Sequence, residues 1–200
     1  MTRRHLILLT YLSWAMLHFA HAQSTLTLSL FSESISLPSY KVVKGINPGI
    51  NIGTEFVLKQ KPKGQRILTA NLGLYYHKRI HYGIFLSSEF GYRYQSPIGI
   101  DLEALVGLGY LHTFWASKTY QRNDDGTYAE KKTFGRPHIA PSASIGLAYD
   151  FSRKADVPIA LFTKYQLFVE TPFAAANGIP VLPHTTFHIG ARIYLNQRRE

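Results

Sequence analysis

From Ile80 to Gln95 the chain alternates with a period of two. Ile80, Tyr82, Ile84, Leu86, Ser88, Phe90, Tyr92 and Tyr94 share one parity, and His81, Gly83, Phe85, Ser87, Glu89, Gly91, Arg93 and Gln95 share the other. A strand sends successive side chains to opposite faces, so this reads as a strand with one greasy face and one small or polar face. The pattern recurs. Ile50, Ile52, Phe56 and Leu58 oppose Asn51, Gly53, Glu55 and Lys59, and Ile98 to Tyr110 on even positions oppose Asp101, Glu103, Gly107 and Gly109. Ala143, Ile145, Leu147 and Tyr149 oppose Ser144, Gly146 and Asp150. Leu161, Tyr165, Leu167 and Val169 oppose Lys164, Gln166 and Glu170, and Phe187, Ile189, Ile193 and Leu195 oppose His188, Gly190 and Arg192. Eight strands are predicted, near 25–37, 48–60, 65–77, 80–95, 98–115, 139–152, 158–170 and 185–195, the first with the least regular pattern. No helical period runs over a comparable length.

The greasy parity should face outward. Most predicted strands reach the roughly 9–11 residues that cross a bilayer when tilted, whereas soluble strands average nearer about 5–6. The charge-bearing face also carries most of the strand glycines, and a narrow barrel has room inside for small and polar side chains only. Tyr76, Tyr82, Tyr92, Tyr94, Tyr110, Phe114, Tyr149 and Phe151 end the apolar faces, as interfacial girdles do. The predicted fold is therefore all-β: an eight-stranded antiparallel transmembrane up-and-down β-barrel. The turns at Lys61-Pro62-Lys63-Gly64, Ser96-Pro97 and residues 153–157 would lie on one, periplasmic side. The connections at 38–47, 78–79, 116–138 and 171–184 would lie outside, the link Lys78-Arg79 being unusually tight and Arg122-Asn123-Asp124-Asp125-Gly126 marking a loop tip.

The amino terminus changes where the chain is expected to go. Arg3 and Arg4 precede a mostly apolar run over 6–20, then Ala20-His21-Ala22 and Gln23. This is the layout of a cleaved secretory signal peptide over residues 1–22, leaving a barrel of residues 23–200. Removing Arg3 and Arg4 lowers the net charge from +10 to 10 − 2 = +8. The remaining basic residues are scattered instead of forming a run or stripe, so anionic headgroups suit them better than nucleic acid. Mean hydropathy is −0.08, which averages over the two faces and hides them. Cysteine is absent, which excludes disulfides, thiol chemistry and cysteine zinc sites.

The end of the chain supports a family resemblance. His188-Ile189-Gly190-Ala191-Arg192-Ile193-Tyr194-Leu195 resembles the terminal-strand sorting signal of bacterial outer-membrane barrels, with His188, Gly190, Ile193 and Leu195 at the signal positions. It departs from the usual form in ending on Leu195 instead of an aromatic residue and in carrying a tail over 196–200. Together with Asn47-Pro48-Gly49-Ile50 and the Ala22/Gln23 junction, the chain resembles small outer-membrane barrels of Bacteroidetes-type bacteria over about 150 residues, through pattern more than through sharp motifs. The resemblance implies a Gram-negative outer membrane, contact with its lipid and lipopolysaccharide, and assembly by the barrel-assembly machinery.

Candidate chemistry is sparse. Glu55, Glu89, Arg93, Asp101, Glu103, Asp150, Lys164, Glu170 and Arg192 fall on the inward parity, with His188 beside them. Buried charges have to be paired, so Glu89, Glu103 and Asp101 are expected to meet Arg93, Lys164 and Arg192 in a structural network. A gated narrow ion or small-solute path is the functional alternative. The nine histidines show no metal-ligand spacing and are expected to be neutral surface or interfacial groups; no metal or other cofactor is expected. A lipid-modifying enzyme would need a hydroxyl or acid activated by a neighbouring histidine, and only His112 with Thr113 and His184 with Thr185 are adjacent. No GxSxG motif occurs, so a non-enzymatic role is expected. The loop over 116–138 mixes Tyr120 and Tyr128 with Lys118, Arg122, Lys131, Lys132 and Arg136, a composition suited to an extracellular ligand or partner.

Overall fold

Alternation predicts where each side chain points; hydrogen bonding decides which strands meet. A computed structural model describes residues 24–35, 46–77, 81–115, 119–122, 126–131, 134–155, 157–173 and 180–195. The strands are β1 (Ser24–Ser34), β2 (Pro48–Lys61), β3 (Gly64–His77), β4 (His81–Gln95), β5 (Ile100–Trp115), β6 (Thr119–Arg122), β7 (Tyr128–Lys131), β8 (Arg136–Asp150), β9 (Ile159–Glu170) and β10 (Leu182–Tyr194). Eight of them close in the order β1-β10-β9-β8-β5-β4-β3-β2, and every pairing is antiparallel. Closure runs from Thr25↔Tyr194 to Ser34↔Thr185 and leaves the barrel without an open sheet edge. The signal segment, the link at 78–79, the loop tip at 123–125 and the tail at 196–200 lie outside the described residues.

The polarity is inverted relative to a water-soluble barrel. Leu30 is 68% exposed, Val106 62% and Ile145 65%, while Glu89 and Asp101 are fully buried and Arg93 is 3% exposed. Among the described residues every acidic side chain except Glu130 is buried. Glycine makes the interior fit. Gly73 pairs with Phe85, and Tyr75 with Gly83; a Cβ on either glycine would strike the facing ring. Inward aromatics therefore lie flat across the strand beside them, and the lumen fills without a bulge at these pairs.

Three departures from the sequence reading have local causes. The turn after β4 extends through Ile98 to Gly99, whose φ of 92° favours glycine, so β5 begins at Ile100. Residues 153–157 include most of a single helical turn, α1 (Ser152–Ala155), and not only coil. The connection between β5 and β8 contains the hairpin β6–β7, with Thr119↔Lys131 through Arg122↔Tyr128. Its strands have 4 residues each and no apolar face, so alternation could not reveal them.

Candidate functional site: the filled lumen

The inward side chains stack in levels along the barrel. At the end holding the β4–β5 turn, Asp101 on β5 and Asp150 on β8 both face Arg153 of α1, at 2.7 and 3.3 Å. Asp150 also accepts hydrogen bonds from the Ser152 backbone N–H, at 3.0 Å, and hydroxyl, at 2.6 Å. The prediction that Asp101 joins Arg93, Lys164 or Arg192 is corrected here. Arg153 sits in a turn, where strand parity says nothing about direction, and it folds back over the barrel end.

Above it lies a closed quartet. Arg93 Nε donates to Glu103 at 2.6 Å, and the Arg93 guanidinium also pairs with Glu55. Arg192 Nε donates to Glu55 at 2.8 Å, and Arg192 Nη2 to Glu103 at 2.6 Å. Each arginine bridges both glutamates, and each glutamate bridges both arginines. Four strands contribute, β2, β4, β5 and β10, so the square ties opposite walls together. Its net charge is zero, the condition for holding four ions out of water. The next level is centred on Glu89, which accepts from Lys164 at 2.9 Å, Ser144 at 2.9 Å and Gln166 at 3.0 Å. The expected pairings of Glu103 with Arg93 and Arg192, and of Glu89 with Lys164, are present.

An apolar layer follows, made of Phe31, Tyr75, Phe85, Leu111, Ala140 and Phe168. Phe31 meets Phe85 edge-on at 5.8 Å, and Phe85 stacks near Phe168 at 6.4 Å. His188 stacks on Phe31 at 4.6 Å and bonds Thr186 and Ser29. A residual cavity of about 10 Å³ between Phe85, Ala140, Phe168 and Gln166 is the size of one water at most. The layer fills the axis, with the hydrogen-bonded side chains Gln166, Thr186, His188 and Ser29 running beside it.

Beyond it, towards the longer connections, lies a chain of imidazoles and carboxylates. His77 Nδ1 meets Glu33 at 2.5 Å, and Glu33 meets His184 Nδ1 at 2.7 Å. His184 Nε2 meets Glu170 at 3.0 Å, and Glu170 meets His138 Nε2 at 3.0 Å. Tyr75 Oη lies 3.0 Å from His81 Nε2 alongside. Both nitrogens of His184 face carboxylate oxygens, so both contacts are hydrogen bonds only if each carries a proton. The expectation of surface or interfacial histidines is corrected: His81, His138 and His184 are buried and the His77 side chain is 15% exposed, while His188 is buried on the inward face where its parity put it. His77, His81, His138 and His184 share parity with inward polar residues, a signal present in the sequence and outweighed there by their position near loops. Glu33 was missed because β1 was the least regular strand, although it follows Thr25, Thr27, Ser29 and Phe31 on one face.

The two adjacent hydroxyl–histidine pairs are not formed. His112 faces outward between Tyr110 Oη and the Phe134 carbonyl, away from the buried Thr113. Thr185 meets the Ser34 carbonyl, and His184 meets carboxylates. Thr113 instead touches His138 Nε2 at 3.0 Å, the same nitrogen that faces Glu170, while Nδ1 faces the Pro172 carbonyl at 2.8 Å. A base that activates a hydroxyl needs its carboxylate on the other nitrogen, so this is not a relay. Among the described residues no group of three or more histidine, aspartate or glutamate side chains has metal-binding geometry. In the sorting segment, His188 points inward beneath Phe31, Ile193 is 37% exposed and Leu195 is 58% exposed on the outer wall.

No protein-family model and no curated protein sequence matches the chain. Solved structures do match. Neisserial surface protein A aligns with a TM-score of 0.52 and 11% identity, over 86% of this chain and 96% of its own. The outer-membrane enzyme PagL aligns at 0.49 with 9% identity, over 86% and 99%. The attachment invasion locus protein Ail of Yersinia pestis aligns at 0.48 with 13% identity, over 86% and 99%. These structural neighbours are small outer-membrane β-barrel proteins, and the chain shares the eight-stranded closed antiparallel fold of the Neisserial protein.

Proposed function

We propose that the chain is an exported, non-enzymatic barrel of a bacterial outer membrane, serving structure or interaction at the cell envelope through its outer surfaces and loops. The carrying observation is the inverted polarity, an apolar wall around a charge-compensated rod. An exposed apolar belt of this extent would drive aggregation in water and is covered at no cost by lipid. Its height fits. Tyr82 and Tyr92 lie ten positions apart on the outer face of β4, which at about 3.4 Å per residue and the usual tilt of about 35–45° gives roughly 25 Å. The shorter turns then face the periplasm, and the longer connections face outward.

Signal cleavage after Ala22, sorting through His188, Gly190, Ile193 and Leu195 by the assembly machinery, and kinship with Bacteroidetes-type barrels belong to the same proposal. Outside, the hairpin β6–β7 exposes Tyr120 and Tyr128, and Arg136 lies 5.1 Å over the Trp115 ring, an aromatic and cationic surface for an extracellular ligand or lipopolysaccharide. A conducting role is disfavoured by the Phe31–Phe85–Phe168 layer, and a lipid-modifying role by the missing relay at Thr113 and His138. The test combines outer-membrane fractionation with gel migration before and after boiling, and single-protein recordings in planar bilayers. Heat-shifted migration, an outer-membrane fraction and no steady current are expected. A protein that remains monomeric in buffer without detergent would refute the reading.

A further inference from the structure

We propose that the outer wall above the β2–β3 turn carries a site for one anionic phospholipid, with its phosphate on Lys61 and Arg66 and an acyl chain over Ala104 and Ala143. The proposal rests on the membrane reading. Two outward rows cross this wall. One runs Arg66↔Tyr92↔Ala104↔Ile145↔Tyr165, and the next Leu68↔Phe90↔Val106↔Ala143↔Leu167. Each has one alanine among large side chains, so the rows leave a groove of about 910 Å³ floored by Gly91, Ala104 and Ala143. Lys61 and Arg66 stand at the end of this groove.

Lys61 faces outward because of a bulge in β2, whereas Arg66 keeps the regular outward parity of β3. Val57 pairs with the buried Ile67, and the register then shifts so that Lys59 pairs with the exposed Arg66 and Lys61 with Gly64. Without the extra residue, Lys59 and Lys61 would keep the inward parity of Glu55. The Tyr92 phenol leans over Gly64, where a Cβ would strike it, and so away from Ala104. Arg66 is level with Tyr92 in the aromatic girdle, the depth of lipid headgroups. Among the described residues no acid competes: those other than Glu130 are buried in the lumen, and Glu130 belongs to the hairpin at the opposite end. An apolar trough ending in paired cations at headgroup depth matches a lipid that carries a phosphate.

The test is native mass spectrometry of the barrel in neutral detergent, titrated with dioleoyl phosphatidylglycerol, with phosphatidylcholine as the comparison lipid. One tightly held phosphatidylglycerol is expected. At about fivefold per cation, K61Q/R66Q should weaken it about twenty-five-fold. A104F/A143F, which fills the groove without altering charge, should also displace it, while K154Q, the loss of one cation at another turn, should not. Unchanged binding in K61Q/R66Q, or binding that ignores A104F/A143F, overturns the site in favour of diffuse adsorption. Boiling-shifted gel migration checks that each variant is folded, and a detergent-independent monomer would instead defeat the membrane reading itself.

Discussion

The quartet of Glu55, Arg93, Glu103 and Arg192 permits a quantitative test of whether the lumen is one coupled unit. Replacing Glu55 by Gln keeps the shape and removes one charge, leaving two arginines facing Glu103 alone. The Arg93 and Glu103 side chains are 3% exposed, so solvent cannot take up the imbalance. Breaking a buried pair in this way costs about 3–5 kcal/mol. R192Q alone unbalances the square in the opposite sense at similar cost. The double variant E55Q/R192Q is neutral again and retains the Arg93–Glu103 contact at 2.6 Å. Its loss should fall short of the sum of the single losses by at least about 2 kcal/mol, within the range of coupled neighbours. Urea unfolding in lipid vesicles measures all four proteins. The chain has tryptophan only at Trp14 and Trp115, so signal removal would leave Trp115, at the end of β5, as the single fluorescent reporter. Additivity within about 0.5 kcal/mol would refute the coupling and reduce the square to independent contacts.

The aromatic layer is expected to be the seal. Truncating Phe85 and Phe168 together to Ala should cost about 3–5 kcal/mol for each ring and admit water between the two polar levels, so a current absent from the parent barrel should appear in planar bilayers; an electrically silent, folded double variant would locate the barrier elsewhere. G73A places a methyl group against the Phe85 ring and should destabilise by about 1–3 kcal/mol, and G73A/F85L, by shrinking the ring, should recover part of the loss in the same unfolding assay. E170Q replaces the carboxylate that faces both His184 and His138 and should cost about 1.5–3 kcal/mol; an unchanged unfolding midpoint would mean that the imidazole–carboxylate chain contributes no stability.

Facing was legible in the sequence, and partnership was not. Parity alone put Glu55, Glu89, Arg93, Asp101, Glu103, Asp150, Lys164, Glu170 and Arg192 inside, because a strand has only two faces. Partners depend on strand tilt and stagger, which no local pattern encodes: Glu55 and Arg192 are 137 positions apart and meet because β1 lies between β2 and β10 in the closed order. Arg153 shows the limit of parity, since it reaches Asp101 and Asp150 from a helical turn. The histidines show a different limit. Their parity pointed inward, but an imidazole near a loop suits water or a core equally well, and only the carboxylates of Glu33 and Glu170 decide between them.

Those carboxylates explain why histidine, and not lysine, lies between Glu33 and Glu170. Below the aromatic layer, Glu55 and Glu103 are balanced by Arg93 and Arg192, and Glu89 by Lys164. Phe31, Phe85 and Phe168 separate these ions from Glu33 and Glu170, so the outer pair must be compensated on its own side. The described groups in contact with them are His77, His138 and His184. A short flat ring suits that place: His184 stacks on Phe168 at 4.6 Å with its plane only 4° away, while its two nitrogens reach opposite strands. A lysine has one charged atom and could not bridge Glu33 and Glu170 from the same rigid position while also completing the aromatic stack.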